Sequence, residues 1–106
     1  MYRRLCNKQA FVAQQSEVSQ AVAMEGYNTV NSELVMFSGG TVNMEYEESN
    51  DLENWTSVSA VNSISAPYTL LGSKTITCAY VRMRCTENEP EGATALVSYG
   101  INLSAQ

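Results

Sequence analysis

The densest group of reactive side chains is acidic: Glu45-x-Glu47-Glu48-x-x-Asp51-x-Glu53 places five carboxylates within nine residues. Two chemistries use such a run. A calcium loop takes oxygens at turn-imposed spacing, and Ser49, Asn50, Asp51 and Glu53 offer some, but the D-x-D-x-D-G type of pattern is missing. A glycosidase needs one carboxyl in an apolar pocket to raise its pKa, whereas Glu45 and Glu47 alternate onto the water-facing side of a strand. The run therefore reads as a solvated acidic edge that discourages stray strand pairing. The sequence holds no histidine, which removes Ser-His-Asp and Cys-His nucleophiles, His-ligated zinc and the usual proton-transfer group near neutral pH. Ser38-Gly39-Gly40 links two strand patterns and does not open a helix, so it is not a phosphate loop. No catalytic residue, metal ligand set or cofactor site is assigned, and no enzyme is expected.

Charge narrows the partners. Six basic residues stand against eleven acidic ones, for a net charge of −5. The basic residues divide between Arg3, Arg4 and Lys8 at one end and Lys74, Arg82 and Arg84 further on. That is not the continuous positive surface that phosphate backbones select, so no nucleic acid is expected. No apolar run approaches the roughly 20 residues that cross a bilayer, and no apolar core of a secretory signal follows the first residues; a soluble, uncleaved chain is expected, without a membrane partner. Cys6, Cys78 and Cys85 are odd in number and lack C-x-x-C spacing. Cys78 and Cys85 fall in one expected strand, seven steps of about 3.3 Å apart, so the three thiols are expected reduced and mostly buried.

The elements that must position these groups are strands. Valine and threonine are frequent, only two prolines occur, and Ser, Thr, Asn and Gln make up about a third of the 106 residues, as suits strands with one wet face. The clearest runs over residues 93–104, where Ala93, Ala95, Val97, Tyr99, Ile101 and Leu103 alternate with Thr94, Leu96, Ser98, Gly100, Asn102 and Ser104. Residues 75–86 place Ala79, Val81, Met83 and Cys85 on one face and Tyr80, Arg82 and Arg84 on the other. These two strands are expected to form an antiparallel hairpin around residues 87–92. A second hairpin is expected from residues 30–37 and 41–48 about Ser38-Gly39-Gly40, with Val42, Met44 and Tyr46 inward. Weaker strands fall at residues 10–14, 18–24, 56–61 and 68–71. Met24, Met36, Met44 and Met83 read as core filling. Seven or eight short strands predict one all-β domain, a two-sheet antiparallel sandwich of jelly-roll or immunoglobulin-like type over residues 21–106, with a closed barrel as the alternative. Residues 1–20 are an N-terminal arm or a first strand.

Between the acidic strand and the next, Ser49-Asn50-Asp51-Leu52-Glu53-Asn54-Trp55 is rich in turn-forming residues that bring the single tryptophan round to the following strand. Together with Ala79-Tyr80-Val81-Arg82-Met83-Arg84-Cys85-Thr86, this segment resembles a unit of small β-sandwich structural and decoration proteins of tailed-bacteriophage particles. There a G-S-N-D-G-x-N-W turn is followed by a Y-V-R strand and a last alternating strand. The match spans residues 27–103, with Glu48 and Leu52 where glycines are common, and assigns Ser49, Asn50, Asp51, Asn54 and Trp55 to a structural turn. The resemblance implies a fold and a virion setting. A rigid scaffold, a terminal arm and polar outward faces then suit a non-enzymatic virion structural protein, assembled in the host cytoplasm, that decorates or cements a capsid; a homo-oligomer, a trimer being the first guess, bound to a major capsid protein is expected. Arg3, Arg4 and Lys8 on the arm and the Tyr80, Arg82 and Arg84 ridge are the expected interface. The plainer role for the two arginines is pairing with Glu45 or Glu47 inside the chain. The alternative function is a carbohydrate-binding or tail-fibre-associated module, with Trp55, Tyr27 and Tyr68 as platforms.

Overall fold

The computed structural model describes residues 2–12, 15–37, 40–88 and 95–105. Nine strands lie among them: β1 (Tyr2–Phe11), β2 (Ser16–Val18), β3 (Val22–Ala23), β4 (Thr29–Met36), β5 (Val42–Ser49), β6 (Thr56–Ile64), β7 (Tyr68–Thr75), β8 (Tyr80–Glu87) and β9 (Ala95–Ser104). A four-stranded sheet in the order β1-β9-β4-β7 faces a five-stranded sheet in the order β2-β8-β5-β6, where β3 also pairs with β8. All pairings are antiparallel. Of the strands that follow one another in sequence, β5 and β6 form a hairpin, and β4 pairs with β7 and β9 while β5 pairs with β8. This nesting is the jelly-roll form of the expected sandwich.

Alternation explains the core. Val42, Met44 and Tyr46 of β5, Val81, Met83 and Cys85 of β8, and Val97, Tyr99, Ile101 and Leu103 of β9 are buried between the sheets, as period-two patterns require. The four methionines named above are buried with them. The Tyr46 hydroxyl donates to Ser32 Oγ at 2.7 Å, joining the two sheets through the core and satisfying an otherwise costly buried hydroxyl.

Both expected hairpins are corrected. β4 and β5 lie in different sheets, as do β8 and β9. The reason is visible at the end of β4: Met36 N donates to Pro67 O at 2.8 Å and Phe37 N to Leu96 O at 2.7 Å. Those bonds hold the end of β4 in its own sheet, and the chain passes to the other through Gly40, whose φ of 97° suits glycine. Past β8, Asn88 N donates to Thr41 O at 2.8 Å, which keeps that end beside β5. Ser38 and Gly39 of the first expected turn, residues 89–92 of the second, Ala93 and Thr94 of the expected last strand, and Gln14 lie outside the described residues. Cys78 is also corrected. It precedes β8 in a bend, because the chain turns between β7 and β8, and only Cys85 is in the strand. Cys6, Cys78 and Cys85 are free thiols.

Residues 2–11 form β1, an edge strand paired with β9. Phe11 and Cys6 are buried. Register shifts interrupt the pairing on either side of Cys6, and Lys8 has a φ of 50°. Bulges and charges of this kind protect an open sheet edge.

Candidate functional site

The β5–β6 turn is organised by Ser49 and Asp51. Ser49 Oγ accepts from the backbone N–H of Asp51 at 3.1 Å and of Leu52 at 3.0 Å. Asp51 Oδ1 accepts from the N–H groups of Glu53 at 2.9 Å and Asn54 at 2.8 Å, and Asn54 Nδ2 donates to Asp51 Oδ2 at 2.7 Å. The two backbone bonds, from Asn54 and then Glu53, hold the Asp51 carboxyl well below the usual carboxylate range. Leu52 sits at φ 66°, a conformation that favours glycine, and it occupies the place where the resembling motif carries one.

The neighbouring Glu48 and Asn50 tie this turn to the connection before β8. Glu48 Oε1 accepts from Thr77 N at 2.9 Å and Cys78 N at 3.3 Å, while Asn50 Oδ1 accepts from Ala79 N at 2.9 Å. Asp51 and Glu48 are thus engaged by backbone donors of separate segments. Among the described residues, no three or more His, Cys, Asp or Glu side chains gather as a metal-binding group.

On the outer face of the five-stranded sheet, β8 and β5 place Arg82 opposite Glu47 and Arg84 opposite Glu45. Arg82 Nε donates to Glu47 Oε1 at 2.7 Å and Arg84 Nε to Glu47 Oε2 at 3.1 Å. The Arg82 guanidinium also lies 4.1 Å from the centre of the Trp55 ring, a cation–π stack. Although its strand face is the outer one, Glu47 is only 8% exposed, covered by its partners. Burial pushes its carboxyl up, but the bonds from Arg82 and Arg84 outweigh that and hold it below the ordinary value. Glu45 moves the other way, raised by burial and by the adjacent Glu47. The Arg84 side chain remains 38% exposed, against 19% for Arg82, so guanidinium donors still face solvent; Nη1 of Arg84 donates to Ser16 Oγ at 3.3 Å.

The expected interface residues fall in two places. Tyr80, Arg82 and Arg84 share one face with Trp55, whereas Arg3, Arg4 and Lys8 belong to β1 in the other sheet. Lys8 Nζ lies 5.2 Å over the Phe37 ring, and Lys8 N donates to Ser98 Oγ at 2.7 Å. Of the expected platforms, Trp55 is half-buried with Arg82 on its ring, Tyr27 is half-buried against the core, and Tyr68 is 53% exposed.

Tyr68 leads to a cluster that sequence reasoning missed. On the outer face of the four-stranded sheet, Glu33 Oε2 accepts from the Tyr68 hydroxyl at 2.9 Å and Glu33 Oε1 from the Tyr2 hydroxyl at 3.4 Å. The bond to Glu33 pushes the Tyr68 phenol up. Register sets Tyr2 opposite Asn102, Asn102 opposite Asn31, and Glu33 opposite both Gly100 and Leu70. Tyr2 lies across Gly100 so closely that a Cβ there would collide with its ring. Tyr2, Asn31, Ser32, Glu33, Leu70 and Asn102 line a shallow depression of about 230 Å³. The signal was the outward pattern Asn31-x-Glu33 and Gly100-x-Asn102, which becomes a cluster only when β1, β9, β4 and β7 are placed side by side.

No protein-family model matches the sequence, and no curated protein matches it. Solved structures do. The crystal structure of the PBSX exported protein XepA is similar over 100% of this chain, with a TM-score of 0.82 and 16% identity. The match covers 37% of XepA, so this chain spans little more than a third of that protein's length. PirA is similar over 90% of this chain and 91% of its own, at a TM-score of 0.54 and 11% identity. The SPBc2 prophage-derived protein YomS aligns over 98% and 96%, at 0.48 and 11%. At these identities the likeness concerns the fold: the chain is an antiparallel β-sandwich that superposes on part of XepA.

Proposed function

We propose that this chain is a non-enzymatic structural protein of a phage-type particle, a decoration or cement protein that docks between capsid subunits through the outer face of its five-stranded sheet. The observation that carries this reading is the ordered array of Trp55, Arg82, Glu47 and Arg84. Its side chains are held by one another before any partner arrives, so docking loses little rotamer freedom, and the exposed donors of Arg84 suit carboxylates on a neighbouring subunit. The fold likeness to XepA supports a phage setting. β1 offers a second contact region through Arg3, Arg4 and Lys8. Copies assembled as a homo-oligomer, a trimer at a local three-fold axis, gain from effective concentration even where each contact is weak.

The test separates partner binding from folding. Replacing Arg82 and Arg84 together strips Glu47 of its partners and reads stability, so Tyr80→Ala and Arg84→Lys are the informative variants. Particles assembled with the wild-type chain should carry it in a fixed ratio to the major capsid protein, measured by mass spectrometry of purified particles. Occupancy should fall for both variants while their thermal midpoints stay within a few degrees of wild type. Absence of the wild-type chain from purified particles would overturn the proposal.

A further inference from the structure

The outer face of the four-stranded sheet lies on the opposite side of the sandwich from the arginine ridge, and its chemistry is different. Tyr2 is 47% exposed although one side of its ring rests on Gly100. The lack of a side chain at Gly100 lets the ring lie down on the sheet and reach across β9 to Glu33 on β4. One aromatic face is thereby turned outward. Around it stand a carboxylate whose oxygens are oriented by two tyrosine hydroxyls, and two asparagines paired across β9 and β4.

We propose that this face is a saccharide-binding surface, in which the Tyr2 ring stacks on the apolar face of one sugar ring while Glu33, Asn31 and Asn102 bond its hydroxyls. The groups match that class of ligand. A pyranose presents an apolar C–H face and a rim of hydroxyls that donate and accept; an aromatic plane edged by one carboxylate and two amides complements both parts. The depression of about 230 Å³ is smaller than the about 300–1,000 Å³ of sites for drug-sized ligands, which suits one ring of a longer neutral glycan lying along the surface. A second copy of the chain would call for an apolar patch of several hundred Å², and of the six lining residues Leu70 alone is aliphatic. An open site of this kind binds weakly, with a Kd on the order of 1 mM, and many copies on one particle would raise that through avidity. The proposal does not depend on the capsid reading, since it concerns the isolated chain.

The experiment is a 1H–15N NMR titration of the full chain with neutral trisaccharides of glucose, galactose and N-acetylglucosamine, each to about 10 mM, tenfold the expected Kd. At least one should shift the backbone amides of Asn31, Glu33, Gly100 and Asn102. Gly100→Ala should weaken that binding at least tenfold with little loss of thermal stability, because the collision falls on the far end of the Tyr2 side chain. Should Gly100→Ala fail to fold, Tyr2→Ala reports on the same platform, and Tyr2→Phe should retain most of the binding because it keeps the ring. The proposal is overturned if no trisaccharide moves these amides, or if the shifts centre on Trp55. It is equally overturned if dilution alone moves them, which would mean that a second copy covers the face, or if oligolysine moves them and the sugars do not.

Discussion

Glu47→Gln is the substitution that tests whether the outer face of the five-stranded sheet is held by charge. Glutamine keeps the shape and removes the negative charge from a group only 8% exposed. Two charge-assisted bonds are affected. The bond to Arg82 is the stronger, because that side chain is 19% exposed and stacked on Trp55, and a hydrogen bond to a charged group of this kind contributes about 1.5 kcal/mol. The bond to Arg84 is discounted for solvent screening, since that side chain is 38% exposed, and contributes about 0.5 kcal/mol. The sum of about 2 kcal/mol corresponds to a fall in Tm of roughly 8–16 °C for a domain of this size. Urea denaturation followed by far-UV circular dichroism at neutral pH measures it, away from any local change in Trp55 fluorescence. The pH dependence has a definite sign. The folded Glu47 pKa lies below its ordinary value of 4.5, so its contribution is complete above about 4.5 and is lost as pH falls through the lower folded value. The gap between wild type and Glu47→Gln should therefore be constant near neutrality and close in acid. A gap under about 0.5 kcal/mol at pH 7, at the level of an ordinary exposed pair, or one that widens on acidification, would refute the reasoning.

Three further outcomes follow from the turn and the thiols. Leu52→Gly relieves a left-handed backbone at φ 66°, offset in part by a freer unfolded chain, and should raise stability by about 0.5 kcal/mol in the same denaturation assay. Asp51→Asn should lower Tm at neutral pH. Because the Asp51 carboxyl is held below its ordinary value of 3.8, that deficit should persist down to about pH 4 and narrow only in stronger acid, as differential scanning calorimetry across pH would show. A thiol reagent at pH 8 should label Cys78, which is half-buried, well before Cys6 and Cys85, which are buried. Burial pushes Cys85 up to about 12, so its labelling should await unfolding, and fast native labelling of two or more thiols, read by mass spectrometry, would contradict this core.

Much of the scaffold was legible because burial follows local alternation. The inward positions of β5, β8 and β9 could be named from the sequence, since each strand buries one face and period two marks it whatever its partner. Pairing could not be read in the same way. Residues 30–37 and 41–48 look like a hairpin because their spacing is short and glycines lie between, yet β4 ends on carbonyls of Pro67 and Leu96 supplied by segments far along the chain. Alternation says that a face is inward but not from which sheet, and in a nested jelly roll most partners are remote.

The sites divide along the same line. Ser49, Asp51 and Asn54 build their turn within six residues, so residue types and spacing alone define it. The pairing of Arg82 and Arg84 with an acid on a neighbouring strand was open to the sequence as one of two readings, but that both hold Glu47, Arg84 reaching diagonally past the Glu45 opposite it, is decided by how the side chains pack on the folded sheet. Tyr2, Glu33, Gly100 and Asn102 come together only across three strands, and nothing local links them. From the sequence alone came the strand character, the inward faces and the self-contained turn, each a matter of neighbours a few residues apart. Which strands meet, which carboxylate the arginines hold and which aromatic ring lies on a glycine were decided by the tertiary structure, because those contacts exist only once long-range antiparallel pairing has set distant segments side by side.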